Sequence, residues 1–192
     1  MDVFIDFKSP AAYLAFKPTL ALADRLANAD QVDETINWFP VPTKQGAIPK
    51  IQDDEDRGTT HRRVRAIARQ NMHLHYAKVL NLPMQFRDTP GNTDLALAAL
   101  ETLSGDKERF IEAAFNAYWT SEADLSDPAT VQALLTETEC SADLTNPEAA
   151  LDQAFNRSQT NGAIDAPAYV VRGQLFIGRE HLPWIEAIVT DG

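Results

Sequence analysis

Sulfur is almost absent from this sequence: its 192 residues hold one cysteine, Cys140, and three methionines. A lone thiol excludes an internal disulfide, a Cys-x-x-Cys redox pair and a multi-thiolate zinc site. Basic residues are also scarce, with 17 Lys and Arg against 28 Asp and Glu, and the net charge of −11 repels phosphate backbones and anionic membranes. Neither nucleic acid nor a membrane is therefore an expected partner. Long apolar runs are missing too. No stretch reaches the roughly 18 residues of a membrane-spanning helix, and the opening Met1-Asp2-Val3-Phe4-Ile5-Asp6 has neither a basic nor a long apolar region. A cytoplasmic location is the expectation. With 8 Gly and 11 Pro the chain is not of low complexity; a 44% apolar fraction supports a sizeable core, which at this length buries roughly 70% of the unfolded surface.

Residues 3–7 alternate apolar and polar side chains and predict a short strand. The period then changes. Ser9 is a good N-cap, Pro10 suits a first helical turn, and Tyr13, Leu14, Phe16, Leu20 and Leu22 follow at helical spacing, predicting a helix over 11–28 that Pro18 should kink. A second strand is expected over 35–39, before Pro40-Val41-Pro42, and then a surface loop carrying Gly46, Pro49 and the acidic run Asp53-Asp54-Glu55-Asp56. Helices follow over 60–80, 93–103, 107–119, 127–136 and 147–159, two of them opened by Asp-Pro or Asn-Pro. After Gly162 strand patterning returns at 169–171 and 174–177 around the Arg172-Gly173 turn, with a last helix over 182–189. Six of the seventeen basic residues (Arg57, Arg62, Arg63, Arg65, Arg69, Lys78) fall between 57 and 78, where a solvated helix face is the first expectation and a local anion site the second.

The order βαβ, a long helical block, then ββα is a thioredoxin-like arrangement with an insertion. It divides the chain into a thioredoxin-like domain of residues 1–57 and 161–192 and an inserted helical domain of 58–160. The residues Asp6-Phe7-Lys8-Ser9-Pro10-Ala11-Ala12-Tyr13-Leu14-Ala15 resemble the "DFxSPxxYLA" opening of the 2-hydroxychromene-2-carboxylate isomerases, relatives of kappa-class glutathione transferases and DsbA-like oxidoreductases. The tail from Gly162 to Leu182 is similar to that family's "GVFGVPTFVVDGELFWGxDRL". In between, Tyr118-Trp119 and Leu125-Ser126-Asp127-Pro128 match the helical insertion in pattern, so the likeness covers most of the chain and is weakest over 43–56.

The resemblance implies an α/β thioredoxin-like fold with a large helical insertion, and glutathione as the cofactor. DsbA-like oxidoreductases carry a Cys-x-x-Cys pair at the start of the first helix; here Ser9-Pro10-Ala11-Ala12 holds no sulfur, so dithiol chemistry is excluded. By resemblance Ser9 is the catalytic residue, its hydroxyl holding the glutathione thiolate at a helix N-terminus. Pro167 is then cis, leaving the backbone of Ala166 to pair with the extended tripeptide, and Glu180 stands where the family has Asp, to hold the γ-glutamyl ammonium. Arg179 beside it departs from the family's small or neutral residue. The family's Gly-Asn pair and nearby lysine are replaced by Lys44-Gln45-Gly46-Ala47-Ile48-Pro49-Lys50, in which Lys44 or Lys50 substitutes. Its "LxRWA" helix becomes Leu74-His75-Tyr76-Ala77.

Read without the resemblance, Ser9 is an N-cap and Pro167 an ordinary trans proline. Phe115, Tyr118 and Trp119 at helical spacing read as core. His73 and His75 lie roughly 200° apart on one helix, so no metal site is expected; one of them belongs on a polar face and the other towards substrate or core. The activity implied is a glutathione-dependent isomerase acting on an aromatic-derived cyclic carboxylate. A kappa-like glutathione transferase and a non-catalytic thioredoxin-fold binding protein are the alternatives, and a homodimer is compatible with each.

Overall fold

The structure is a computed structural model that describes residues 1–27, 35–48, 50–51 and 56–190. Strand β1 (Asp2–Ile5) leads into helix α1 (Pro10–Ala27) and strand β2 (Asn37–Pro40). Five helices follow: α2 (Arg57–Val79), α3 (Asp94–Glu101), α4 (Lys107–Thr120), α5 (Pro128–Glu137) and α6 (Pro147–Asn161). The chain closes with β3 (Ala168–Val171), β4 (Gln174–Ile177), a 3-10 turn at Arg179–His181 and α7 (Leu182–Thr190). The predicted end of the first helix at Asn28 and the acidic residues Asp53, Asp54 and Glu55 lie outside the described residues.

The sheet runs β2-β1-β3-β4, with β1 parallel to β2 and antiparallel to β3, and β3 antiparallel to β4. This is the thioredoxin-like arrangement expected from the sequence, with α2 to α6 inserted between β2 and β3. The first three strands shift against the expected bounds of 3–7, 35–39 and 169–171. β1 ends at Ile5 because Asp6 turns its carboxylate inward, and β2 reaches Pro40, which pairs with Ile5. Proline is admissible there because β2 is an edge strand, where a missing N–H costs no ladder bond. The β3–β4 hairpin turns on Arg172 and Gly173, both at positive φ (49° and 76°), the combination a tight two-residue turn needs to follow strand twist.

Capping sets most helix ends. Asp56, Asp106, Asp127 and Asn146 accept first-turn N–H bonds at the starts of α2, α4, α5 and α6, and Gly162 closes α6 at φ 70°. One apolar core joins the sheet to the helical block, with Val3, Phe4 and Ile5 packed among Leu97, Leu100, Phe110 and Phe115. An aromatic seam binds α1 to α4: Tyr13 stacks on Trp119 (5.8 Å, 10°), Phe7 meets Phe115 edge-on (5.4 Å, 75°), and Trp119 Nε1 donates to the Phe7 carbonyl at 3.0 Å. Among the described residues no helix is long and apolar enough to cross a membrane.

Candidate functional site

The turn between β1 and α1 is fixed by Asp6, which is 0% exposed. A carboxylate that deep needs a charge partner and several donors to offset lost hydration, and it has both. Oδ2 accepts from the Thr43 N–H and hydroxyl, each at 2.8 Å, and pairs with Lys8 Nζ at 3.1 Å. Oδ1 accepts from Thr93 Oγ1 at 2.8 Å and the Lys8 N–H at 3.2 Å, while Lys8 Nζ also donates to Thr93 Oγ1. One side chain thereby ties the approach to α1, the loop after β2 and the start of α3 together.

Ser9 follows. Its hydroxyl donates to the Ala166 carbonyl at 2.7 Å and accepts the Ala12 N–H at 3.2 Å. The Ala166–Pro167 peptide is cis, and the Ala166 N–H is taken by Asp165 Oδ1 at 2.8 Å. The Pro167 carbonyl accepts the Gly178 N–H at 2.9 Å, bringing the turn that carries Arg179 and Glu180 against the same segment. Ser9, Ala166 and Pro167 thus form one cluster, although Ser9 is only 1% exposed and lies beneath the surface.

Two cavities open on either side of the first turn of α1. The first, about 500 Å³, has Pro10 on its wall, with Lys8, Lys44, Lys50, Arg69 and Arg87 and, among the described residues, a single carboxylate, Asp88, and with Phe86, Tyr118 and Trp119 as aromatic walls. In a chain of net charge −11 this is a local reversal of sign. Arg87 holds its guanidinium 4.2 Å from the Tyr118 ring centroid and donates to the Tyr118 and Ala123 carbonyls, while its buried Nε has no partner among the described residues. The second cavity, about 570 Å³, is bounded by Ala11 and Leu14 of α1, Met72, His73 and Tyr76 of α2, and Gly178, Arg179 and Glu180. Arg179 lies over the Tyr76 ring at 4.5 Å, so the two departures from the family pattern contact each other.

Lys44 and Lys50 therefore line the first cavity, Arg179 and Glu180 the second, and Ser9, Ala166 and Pro167 neither. Of the six basic residues between 57 and 78, Arg69 alone lines a cavity, and Arg57, Arg62, Arg65 and Lys78 are exposed. Sequence reasoning passed over Lys8, Arg87 and Asp6; the one available signal was the ionisable pair flanking Phe7 immediately before Ser9. Phe115, Tyr118 and Trp119 are core as expected, but the last two also face the first cavity. His75 is exposed and His73 buried; burial, with Arg69 and Arg179 nearby, pushes the His73 pKa below its ordinary value. Cys140 lines neither cavity; its Sγ lies 3.5 Å from the Asp106 and Thr138 carbonyls.

No family profile and no curated protein matches the sequence. Solved structures do resemble the fold. A 2-hydroxychromene-2-carboxylate isomerase superposes with a TM-score of 0.69 at 15% identity, over 97% of this chain and 92% of that one. A probable DsbA oxidoreductase from Streptomyces coelicolor gives 0.67 at 15% identity, over 99% and 88%. The cytosolic disulfide reductase DsbM from Pseudomonas aeruginosa, in a structure with glutathione, gives 0.58 at 14% identity, over 99% and 96%. The chain has the DsbA-like form of the thioredoxin fold.

Proposed function

We propose that this chain is a glutathione-dependent isomerase of the 2-hydroxychromene-2-carboxylate isomerase type, acting on an aromatic-derived cyclic carboxylate. The observation that carries the reading is the Ser9–Ala166 junction. A hydroxyl, not a sulfur, occupies the helix start beside Pro167, so a thiol used there comes from a ligand. Glutathione would lie across the first turn of α1, with Arg179 and Glu180 receiving its γ-glutamyl end and Lys44 or Lys50 its far carboxylate. A planar anionic substrate suits the cationic, aromatic first cavity. In this arrangement residues 1–57 and 161–192 supply most of the tripeptide contacts, and 58–160 most of the substrate walls. A cytoplasmic location fits a glutathione-dependent reaction.

The thiolate adds to the conjugated system, the ring opens, a bond rotates, and elimination returns glutathione unchanged. Ser9 steadies the thiolate by turning its one proton from the Ala166 carbonyl to the sulfur, a charge-assisted bond stronger than the neutral one it leaves. Calorimetric titration with glutathione, followed by product analysis on a ring-closed aryl carboxylate, tests the reading. Transfer of glutathione to the substrate, with no isomerised product, would assign a kappa-like transferase instead. A specific observation favours a second reading, a non-catalytic binding protein: both backbone polar groups of Ala166 are engaged, by Asp165 and by Ser9. Binding without turnover would select it.

A further inference from the structure

Among the described residues His73 alone lines both cavities. It projects from α2 opposite the first turn of α1, where Pro10 faces one cavity and Ala11 the other. The ring is 8% exposed and stacked on Phe86 (centroids 6.4 Å apart, 14° between planes), which fixes its plane. Neither ring nitrogen has a hydrogen-bond partner among the described residues, and neither is sealed in as Arg87 Nε is. An imidazole held in this way, with nothing to bond and open space on both sides, is equipped to exchange a proton with a ligand.

We propose that His73 accepts the thiol proton of glutathione lying across the first turn of α1 and returns it when the sulfur departs. The proposal rests on the glutathione reading above and adds to it the group that generates the nucleophile. The S–H bond breaks with its electron pair left on sulfur, and an N–H bond forms at the imidazole lone pair, giving an imidazolium beside a thiolate. No electrons pass between molecules, and the reverse transfer restores both partners. Ser9 cannot take this proton, because a neutral hydroxyl is far too weak a base to deprotonate a thiol; its part is as a donor, its oxygen accepting the Ala12 N–H and its proton now resting on Ala166. The two side chains then divide the work: His73 removes the proton, and Ser9 holds the charge left behind.

The charges around the ring agree with that role. Burial, with Arg69 on α2 and Arg179 on the 3-10 turn, lowers the imidazole pKa and so favours the neutral form, whose lone pair can accept a proton. Glu180 lies on the wall of the second cavity, and Lys8, Arg87 and Asp88 on that of the first. The net positive surroundings favour a thiolate, and the thiolate in turn stabilises the new imidazolium.

The test uses the full chain saturated with glutathione. Thiolate absorbance in the ultraviolet is followed across pH, alongside the rate of reaction with a chlorodinitrobenzene electrophile. The wild type is expected to show a bound thiol titrating at least about one unit below free glutathione. His73→Gln should keep the calorimetric dissociation constant within about threefold while the thiol pKa returns towards the free value and the rate at neutral pH falls by on the order of 10²-fold. Added imidazole should restore part of the rate in His73→Ala. His73→Asn, with circular dichroism as the check on folding, replaces any variant that does not fold. A His73→Gln protein with the wild-type absorbance profile and rate overturns the proposal, as does a wild type that binds glutathione with an unshifted thiol; in both cases the glutathione reading survives. A wild type that fails to bind glutathione at millimolar concentration overturns both.

Discussion

The Ser9 hydroxyl and the Ala166 carbonyl, 157 positions apart in the chain, are joined by a 2.7 Å hydrogen bond. The same oxygen receives the Ala12 N–H, so one small side chain both closes the start of α1 and fastens it to the segment before Pro167. A capping bond contributes about 1 kcal/mol and a buried neutral bond about as much again. These contributions belong to stability and are separable from any effect on chemistry.

Ser9→Ala should therefore lower unfolding free energy by about 1–3 kcal/mol, measured as the shift of the urea midpoint. Glutathione affinity should stay within a few-fold, and turnover measured well below the melting temperature should drop by on the order of 10²-fold. A variant that melts early yet keeps its glutathione-dependent activity would reduce Ser9 to a cap.

Asp6→Ala should be among the most damaging single changes outside the apolar core. It leaves the Lys8 ammonium without its carboxylate and orphans donors on Thr43 and Thr93. Breaking a buried pair in this way costs about 3–5 kcal/mol. Asp6→Asn, which keeps one acceptor oxygen, should cost less. Equal losses for the two in denaturant titrations would mean that the retained oxygen restores nothing and that the missing charge carries the cost.

Gly178→Ala tests the second cavity. Gly178 has φ 103°, and a Cβ there would run into the Glu180 carboxylate. Backbone strain of this kind costs about 1–3 kcal/mol, and the displaced Glu180 should weaken glutathione binding by several-fold in calorimetry. Loss of stability with unchanged affinity would separate Glu180 from the ligand.

Tyr169 gives an alkaline signature. Burial pushes its pKa up to about 12, and its hydroxyl lies 3.0 Å from Thr19 Oγ1. The unfolded tyrosine ionises near pH 10, so between about 10 and 12 the folded state holds the extra proton and stability must fall as pH rises. Stability against pH should thus bend downwards above about pH 10 in the wild type and less so in Tyr169→Phe. Identical curves would show that this hydroxyl ionises as freely in the fold as in the open chain.

The features legible in the sequence were those determined by near neighbours. Ser9 as a cap, Asp127-Pro128 and Asn146-Pro147 as helix starts and Arg172-Gly173 as a turn each act within a few residues. The Ser9–Ala166–Pro167 cluster spans the length of the chain and was reached through motif resemblance, not periodicity. The Asp6 network escaped because its donors, Thr43 and Thr93, are 37 and 87 positions away and nothing local marks them. The cationic cavity escaped for a related reason: Lys8, Lys44, Arg69 and Arg87 come from four separate segments, while the basic cluster that did attract notice sends only Arg69 to the wall. Arg179 finds its partner in Tyr76, more than a hundred positions away, which no local pattern marks.

The position of Trp119 gives the molecule an optical gauge of its own occupancy. The protein has three tryptophans: Trp38 is buried, Trp184 is 69% exposed, and Trp119 alone lies against the first cavity. Indole emission shifts and quenches with its surroundings, so an electron-poor aromatic guest entering that cavity would dim the blue-shifted part of the spectrum and leave the red-shifted light of Trp184 untouched. Filling of the second cavity would leave Trp119 unchanged, and the two binding events could be followed separately without attaching a dye.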